Sequence, residues 1–155
     1  MRLVLYQPDI PQNTGTMVRL AACLGAAVDI VEPAGFDVSD RNFRRAGMDY
    51  LDRVEIVRHR SWSAFEDWRR EAGHRLVLAS TRGETRYTDF AFAAEDAILV
   101  GRESAGVPEA VHAAADARVV IPMRPGFRSL NVAVSAAMLL GEASRQLGWA
   151  DAGRA

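Results

Sequence analysis

The chain has 155 residues, enough for one domain with a substantial core. Its 49% hydrophobic and 25% charged content is ordinary for a globular protein, and a formal net charge of −1 excludes a global basic field, so any contact with nucleic acid has to be local. Cys23 is the only cysteine, which excludes intrachain disulfides and multi-cysteine zinc sites, and the 19 basic side chains are all arginine. The first predicted element, residues 3–6, is a strand that starts without the layout of a signal peptide. A helix over 13–24 follows and ends near Gly25, then a strand over 28–31 stopped by Pro33. Residues 39–45 suit a short helix and 54–57 a short strand. A helix over 61–71 has Gly73 as its C-terminal stop. Short apolar strands are predicted at 76–79, 97–100 and 118–121, with a helix over 108–115 between the last two. The final helix, preceded by Pro125, Gly126 and the expected N-cap Ser129, runs from about 130 to 147.

Strands alternating with helices imply an α/β fold, a mostly parallel sheet covered on both faces. Residues 1–150 form a single domain in this reading, with a loose tail from 151 to 155. From Leu130 to Leu140 nearly every residue of the last helix is apolar or small, and such a helix must be covered on all sides. One sheet covers one face, so either it is a central core helix or its other face meets a second copy of the protein. Apart from this helix, which soon reaches Glu142, no uncharged apolar run approaches the ~18 residues of a membrane span. A cytoplasmic protein without a membrane partner is the expectation.

Three loops follow predicted strands: Ala79-Ser80-Thr81-Arg82-Gly83, Gly101-Arg102-Glu103-Ser104-Ala105-Gly106 and Ile121-Pro122-Met123. Ligands of open α/β sheets bind just beyond the carboxyl ends of strands, and glycine there permits close approach to the backbone. A pocket walled in this way suits the flat ring and ribose of an adenosine-type ligand. Neither G-x-G-x-x-G nor G-x-x-x-x-G-K-[ST] occurs, so dehydrogenase and P-loop readings are poor. His59, His74 and His112 lack metal spacing and read as surface or loop residues. Near the start, Asn13 or Thr14 is placed to cap a helix whose first turn Gly15 leaves open to phosphate, with Arg19 about one turn further on.

Three motifs occur in order: Pro11-x-Asn13-Thr14-Gly15-x-x-x-Arg19, Gly101-x-Glu103-x-x-Gly106-Val107-Pro108, and Ile121-Pro122-Met123 followed by Arg128-Ser129-Leu130-Asn131. On these, over about residues 2–148, the chain resembles SPOUT-class RNA methyltransferases. Its opening, Leu5-Tyr6-x-Pro8-x-Ile10-Pro11, and the stretches Glu32-Pro33-x-Gly35-Phe36 and Arg44 to Tyr50 are similar to the small enzymes that 2′-O-methylate the tRNA wobble nucleotide 34.

The resemblance implies a deep C-terminal trefoil knot, S-adenosylmethionine as methyl donor without a metal, a homodimer, and tRNA bound through its anticodon stem-loop, leucine isoacceptors being the expected substrates. It further implies that Ala79, Gly101, Glu103, Ile121, Ser129, Leu130 and Asn131 hold the donor. Arg19, with Asn13, is implied to be catalytic and to act across the dimer. A guanidinium stays protonated at any ordinary pH, so Arg19 suits a phosphate clamp and charge stabiliser better than a general base. Arg41, Arg44, Arg45 and Tyr50 are candidate RNA contacts, phosphate clamps beside a stacking aromatic, although a solvated charged face gives the same pattern. Arg102, Ala133 and Gly141 depart from the family pattern, which commonly has proline, a hydroxyl residue and tyrosine there. A knotted RNA-binding protein without catalysis, and a 2′-O-methyltransferase acting at another tRNA or rRNA ribose, remain the alternatives.

Overall fold

Two five-residue runs, Arg2–Tyr6 (β1) and Asp96–Val100 (β6), are buried at every position, which only a strand covered on both faces can be. In the computed structural model, which describes residues 1–37 and 40–148, these two lie side by side at the centre of a seven-stranded sheet. The others are Ala27–Val31 (β2), Ile56–His59 (β3), Arg75–Ala79 (β4), Thr85–Arg86 (β5) and Ala117–Val120 (β7). The order is β3-β2-β1-β6-β4-β7-β5, and every ladder is parallel. Parallel neighbours need crossovers. Pro11–Leu24 (α1), Arg41–Gly47 (α2), Trp62–Glu71 (α3), Glu109–Ala114 (α4) and Val132–Leu147 (α5) lie between or after the strands.

Side chains alternate across the sheet, which divides the core in two. Leu3, Leu5, Ile98 and Val100 join Met17 and Val18 of α1 and Ala136, Leu139 and Leu140 of α5 on one face. Val4, Tyr6, Leu76, Leu78 and Leu99 join Phe65 of α3 and Val111 of α4 on the other. Both faces are therefore helix-covered, as the alternation of elements predicts. The two-residue strand β5 and a 3-10 turn at Met48–Asp52 are additions.

Several boundaries move. The short helix starts at Arg41 rather than 39, because Asp40 accepts hydrogen bonds from the N–H groups of Asn42 and Phe43; Ser39 itself lies outside the described residues. The third strand is shifted from 54–57 to Ile56–His59. His59 is no surface residue: it is 6% exposed, with Nε2 2.7 Å from Oδ1 of the buried Asp29, which also accepts from Arg2 Nε at 2.6 Å. The last helix begins at Val132, and its cap is Asn131, not Ser129. Asn131 Oδ1 accepts from the N–H of Ala133 at 2.8 Å, while residues 128–130 stay in the preceding loop. Within the chain α5 buries only one stripe, Ala133, Ala136, Leu139, Leu140, Ala143 and Ser144; Val134 is 48% exposed and Ala137 is exposed. The tail at 151–155 lies outside the described residues.

Candidate active site

The strands β6, β4 and β7 are neighbours, so the loops after their C-terminal ends converge. They enclose a cleft of about 640 Å³, within the range of small-molecule sites. Ala79, Gly101, Glu103, Ile121, Ser129, Leu130 and Asn131 all line it, and so does Asn13. Ser80, Thr81, Arg82, Val107, His112 and Met123 complete much of the wall. The glycines act differently from the sequence expectation. A Cβ at Gly101 would sit 2.7 Å from the carbonyl carbon of Gly106, and one at Gly83 2.5 Å from that of Val119. Their missing side chains let backbone pack on backbone, which shapes the loops before any ligand arrives.

At one rim α1, the β6 loop and the start of α5 are tied together. Asn13 Nδ2 donates to Glu103 Oε1 at 3.2 Å, and Asn131 Nδ2 donates to Asn13 Oδ1 at 3.1 Å. Sequence reasoning missed Asp9. Its N–H donates to Glu103 Oε2 and its Oδ1 accepts from the Glu103 N–H, both at 3.1 Å, while Ser104 Oγ donates to Oδ2. Burial, then the hydrogen bond with Asp9, pushes the Glu103 carboxyl up. The hydrogen bond from the Glu103 side chain, with further ones from Ser104 and the backbone, holds Asp9 down at about 2. Both oxygens of the Glu103 carboxyl accept hydrogen bonds here, one from the Asn13 amide and one from the Asp9 N–H. An Asp–Glu contact 94 residues apart leaves no local signal in the sequence.

Helix α1 starts at Pro11 after an extended Ile10, and neither Asn13 nor Thr14 caps it. Gly15 is not an open anion site: a Cβ there would lie 2.6 Å from the Ala46 Cβ, so the glycine permits α1 and α2 to pack closely. Arg19 is exposed on α1 and is not among the residues lining the cleft. Its guanidinium lies 5.2 Å from the centroid of Tyr50, and Nη1 is 3.3 Å from Met48 Sδ. Arg41, Arg44 and Arg45 are exposed on the adjoining α2. The structure therefore brings Arg19 and Tyr50 together and leaves the α2 arginines outside the cleft. Arg102 lines the cleft and donates through Nε to the Gln7 carbonyl at 3.3 Å. His112, read from sequence as a surface or loop histidine, lies on α4 and lines the cleft, with its side chain 13% exposed. Among the described residues no group of three or more His, Cys, Asp or Glu is placed to hold a metal ion, and no helix is long and apolar enough to cross a membrane.

A parallel α/β sheet with a loop-built cleft at its carboxyl edge is the architecture of a nucleotide-type ligand site, and the chain belongs to the SpoU rRNA Methylase family, whose profile matches residues 1–141. It is 69% identical over 146 residues to the tRNA (cytidine(34)-2′-O)-methyltransferase of Beijerinckia indica, covering 94% of this chain and 91% of that one. The protein of the same name from Ancylobacter novellus is 64% identical, covering 96% and 94%. A solved structure described as giving insights into the 2-OH methylation of C/U34 on tRNA superposes with a TM-score of 0.91 at 41% identity, covering 95% of each chain. The SpoU methyltransferase AviRb from Streptomyces viridochromogenes, solved with AdoMet, gives 0.88 at 33% identity, covering 95% of this chain and 60% of that one.

Proposed function

We propose that this chain transfers a methyl group from S-adenosylmethionine to the ribose 2′-hydroxyl of nucleotide 34 of tRNA, a cytidine or modified uridine. The observation that carries this is the coincidence of the cleft beyond β4, β6 and β7 with the Asn13–Glu103–Asn131 network at its rim, in a chain 69% identical to an enzyme of that name. A cleft lined by Ala79, Val100, Gly101, Val107 and Ile121 together with polar groups such as Asn13, Ser80, Thr81 and Glu103 fits an adenosine nucleoside and a sulfonium. S-adenosylmethionine supplies an already activated methyl group, and no metal is needed. The 2′-oxygen takes the methyl as its C–S bond breaks and S-adenosylhomocysteine leaves, the hydroxyl proton passes to water, and the protein's work is to align the hydroxyl and stabilise the negative charge that develops on its oxygen. Alignment of this kind lowers barriers by roughly 7–11 kcal/mol at the limit. Asn13 is fixed from both sides, by Glu103 and Asn131, and is placed to orient the ribose. Arg19, permanently cationic, grips phosphate and stabilises negative charge. Arg41, Arg44, Arg45 and Tyr50 extend the RNA-facing surface, and leucine isoacceptors are the expected substrates on the family resemblance alone.

The active form in this reading is a homodimer in which Arg19 of one protomer serves the cleft of the other. Its support is that Arg19 stands apart from its own cleft, while α5 leaves Val134 and Ala137 uncovered beside a hollow shared with Asn13 and Thr16 of α1. A deep trefoil knot belongs to the same proposal, supported by the backbone of Gly83 wedged against that of Val119 and Val120. A mixing experiment tests the arrangement. Arg19→Ala should bind S-adenosylhomocysteine normally yet lose at least ~100-fold in methyl transfer to tRNA. A cleft variant, Leu130→Arg, should be inactive because it cannot bind the donor. Mixed and allowed to exchange subunits, the two should recover activity. Full activity of Arg19→Ala alone would remove Arg19 from the mechanism, and absence of recovery would contradict action across a dimer.

A further inference from the structure

Met48 stands in a conformation that its residue type resists. Its backbone is at φ 51° and ψ −144°, which glycine adopts freely and which strains any residue with a Cβ. Core packing does not explain the side chain, because the residue is 54% exposed. What the side chain touches is Arg19, whose Nη1 donates to Met48 Sδ at 3.3 Å. Two residues on, the partly buried ring of Tyr50 lies under the same guanidinium, with its centroid 5.2 Å from the guanidinium carbon.

The turn that carries both contacts is held firmly. The Met48 N–H donates to the Arg44 carbonyl and closes α2, and Gly47 packs so tightly that a Cβ there would sit 2.5 Å from Leu51 Cδ2. Helix α2 is itself wedged against α1 at Gly15 and Ala46. The turn and the helix that bears Arg19 are therefore fixed relative to each other. A long side chain on an exposed helix face otherwise samples many rotamers. We propose that Met48 and Tyr50 are positioning residues for Arg19, setting its guanidinium in advance for phosphate and for the charge of the methyl-transfer step; this rests on the reading of Arg19 as the charge-stabilising group. Both partners are uncharged. They orient the guanidinium without cancelling the positive charge that it offers to RNA.

The test is a double-mutant cycle read as kcat/KM for methyl transfer to tRNA, with melting temperature and S-adenosylhomocysteine affinity measured on every variant. Tyr50→Leu should lower kcat/KM by about 3–30-fold, the range of a cation–π contact, and Tyr50→Phe, which keeps the ring, should recover most of it. Met48→Gly removes the sulfur and relieves the backbone, so the melting temperature should hold or rise while kcat/KM still falls. Neither Tyr50→Leu nor Met48→Gly should change the donor affinity. In an Arg19→Ala background neither should lower kcat/KM further, because both act through that guanidinium. Losses that persist undiminished in that background would make the two residues direct RNA contacts, and that result overturns the proposal. So do unchanged rates in both single variants, and so do losses that track a falling melting temperature and donor affinity. Full activity of Arg19→Ala alone would instead overturn the reading of Arg19, and this inference with it.

Discussion

Asp9 and Glu103 show how two like-charged side chains come to stabilise a site. Each donates its own backbone N–H to the other's carboxylate, so the two acids are held by shared donors rather than by a cation. Asp9, held at about 2 against an ordinary 3.8, binds its proton less tightly folded than unfolded. Its contribution is therefore complete above about pH 4 and is lost as the pH falls towards 2. Glu103 works in the opposite sense: its raised value favours the folded form at low pH, and this gain fades as the pH rises through that value. Urea unfolding of wild type and Asp9→Asn between pH 5 and 2 should show a stability gap that closes between about pH 4 and 2; a constant gap would contradict the assignment. At this scale the sequence was partly legible. Asn13, Glu103 and Asn131 stand out in spaced motifs, although that they hydrogen-bond to one another does not, and Asp9 enters only through contacts that folding creates.

Among the elements, α5 carries the clearest lesson. Its apolar run is plain in the sequence, but its start is not, since Ser129 and Asn131 are both acceptable caps by residue type. The loop decides: residues 128–130 are drawn into the wall of the cleft, and the helix starts only where Asn131 turns. The capping side chain consequently has two tasks, Oδ1 for the helix and Nδ2 for Asn13. Asn131→Ala should lose both, lowering stability by about 0.5–2 kcal/mol and methyl transfer as well. Asn131→Asp should keep the cap and most of the stability while losing the bond to Asn13, so activity falls alone. Chemical denaturation and initial rates measure the two effects separately, and parallel losses in both variants would contradict the double role. The strand β5 and the turn at Met48–Asp52 were illegible because each is too short to display a period.

For the whole molecule, the order of strands and helices was enough to predict a helix-covered parallel sheet, with a cleft at its carboxyl edge. Alternation alone could not give the strand order, because β6 inserts between β1 and β4 and so pairs residues nearly a hundred positions apart. Nor does one chain explain α5 completely: the face carrying Val134 and Ala137 faces outwards here, and the proposed dimer is what would cover it. The central claim joins this fold to one hydroxyl group on one RNA. It is tested most directly by incubating the purified protein with methyl-labelled S-adenosylmethionine and bulk tRNA from a strain lacking the gene, then digesting with nuclease and locating the label by mass spectrometry. The expected product is a 2′-O-methylated cytidine or uridine at position 34 of the anticodon, with no other labelled site. A methyl group on a base, on another ribose, or on no tRNA despite measurable donor binding would contradict it.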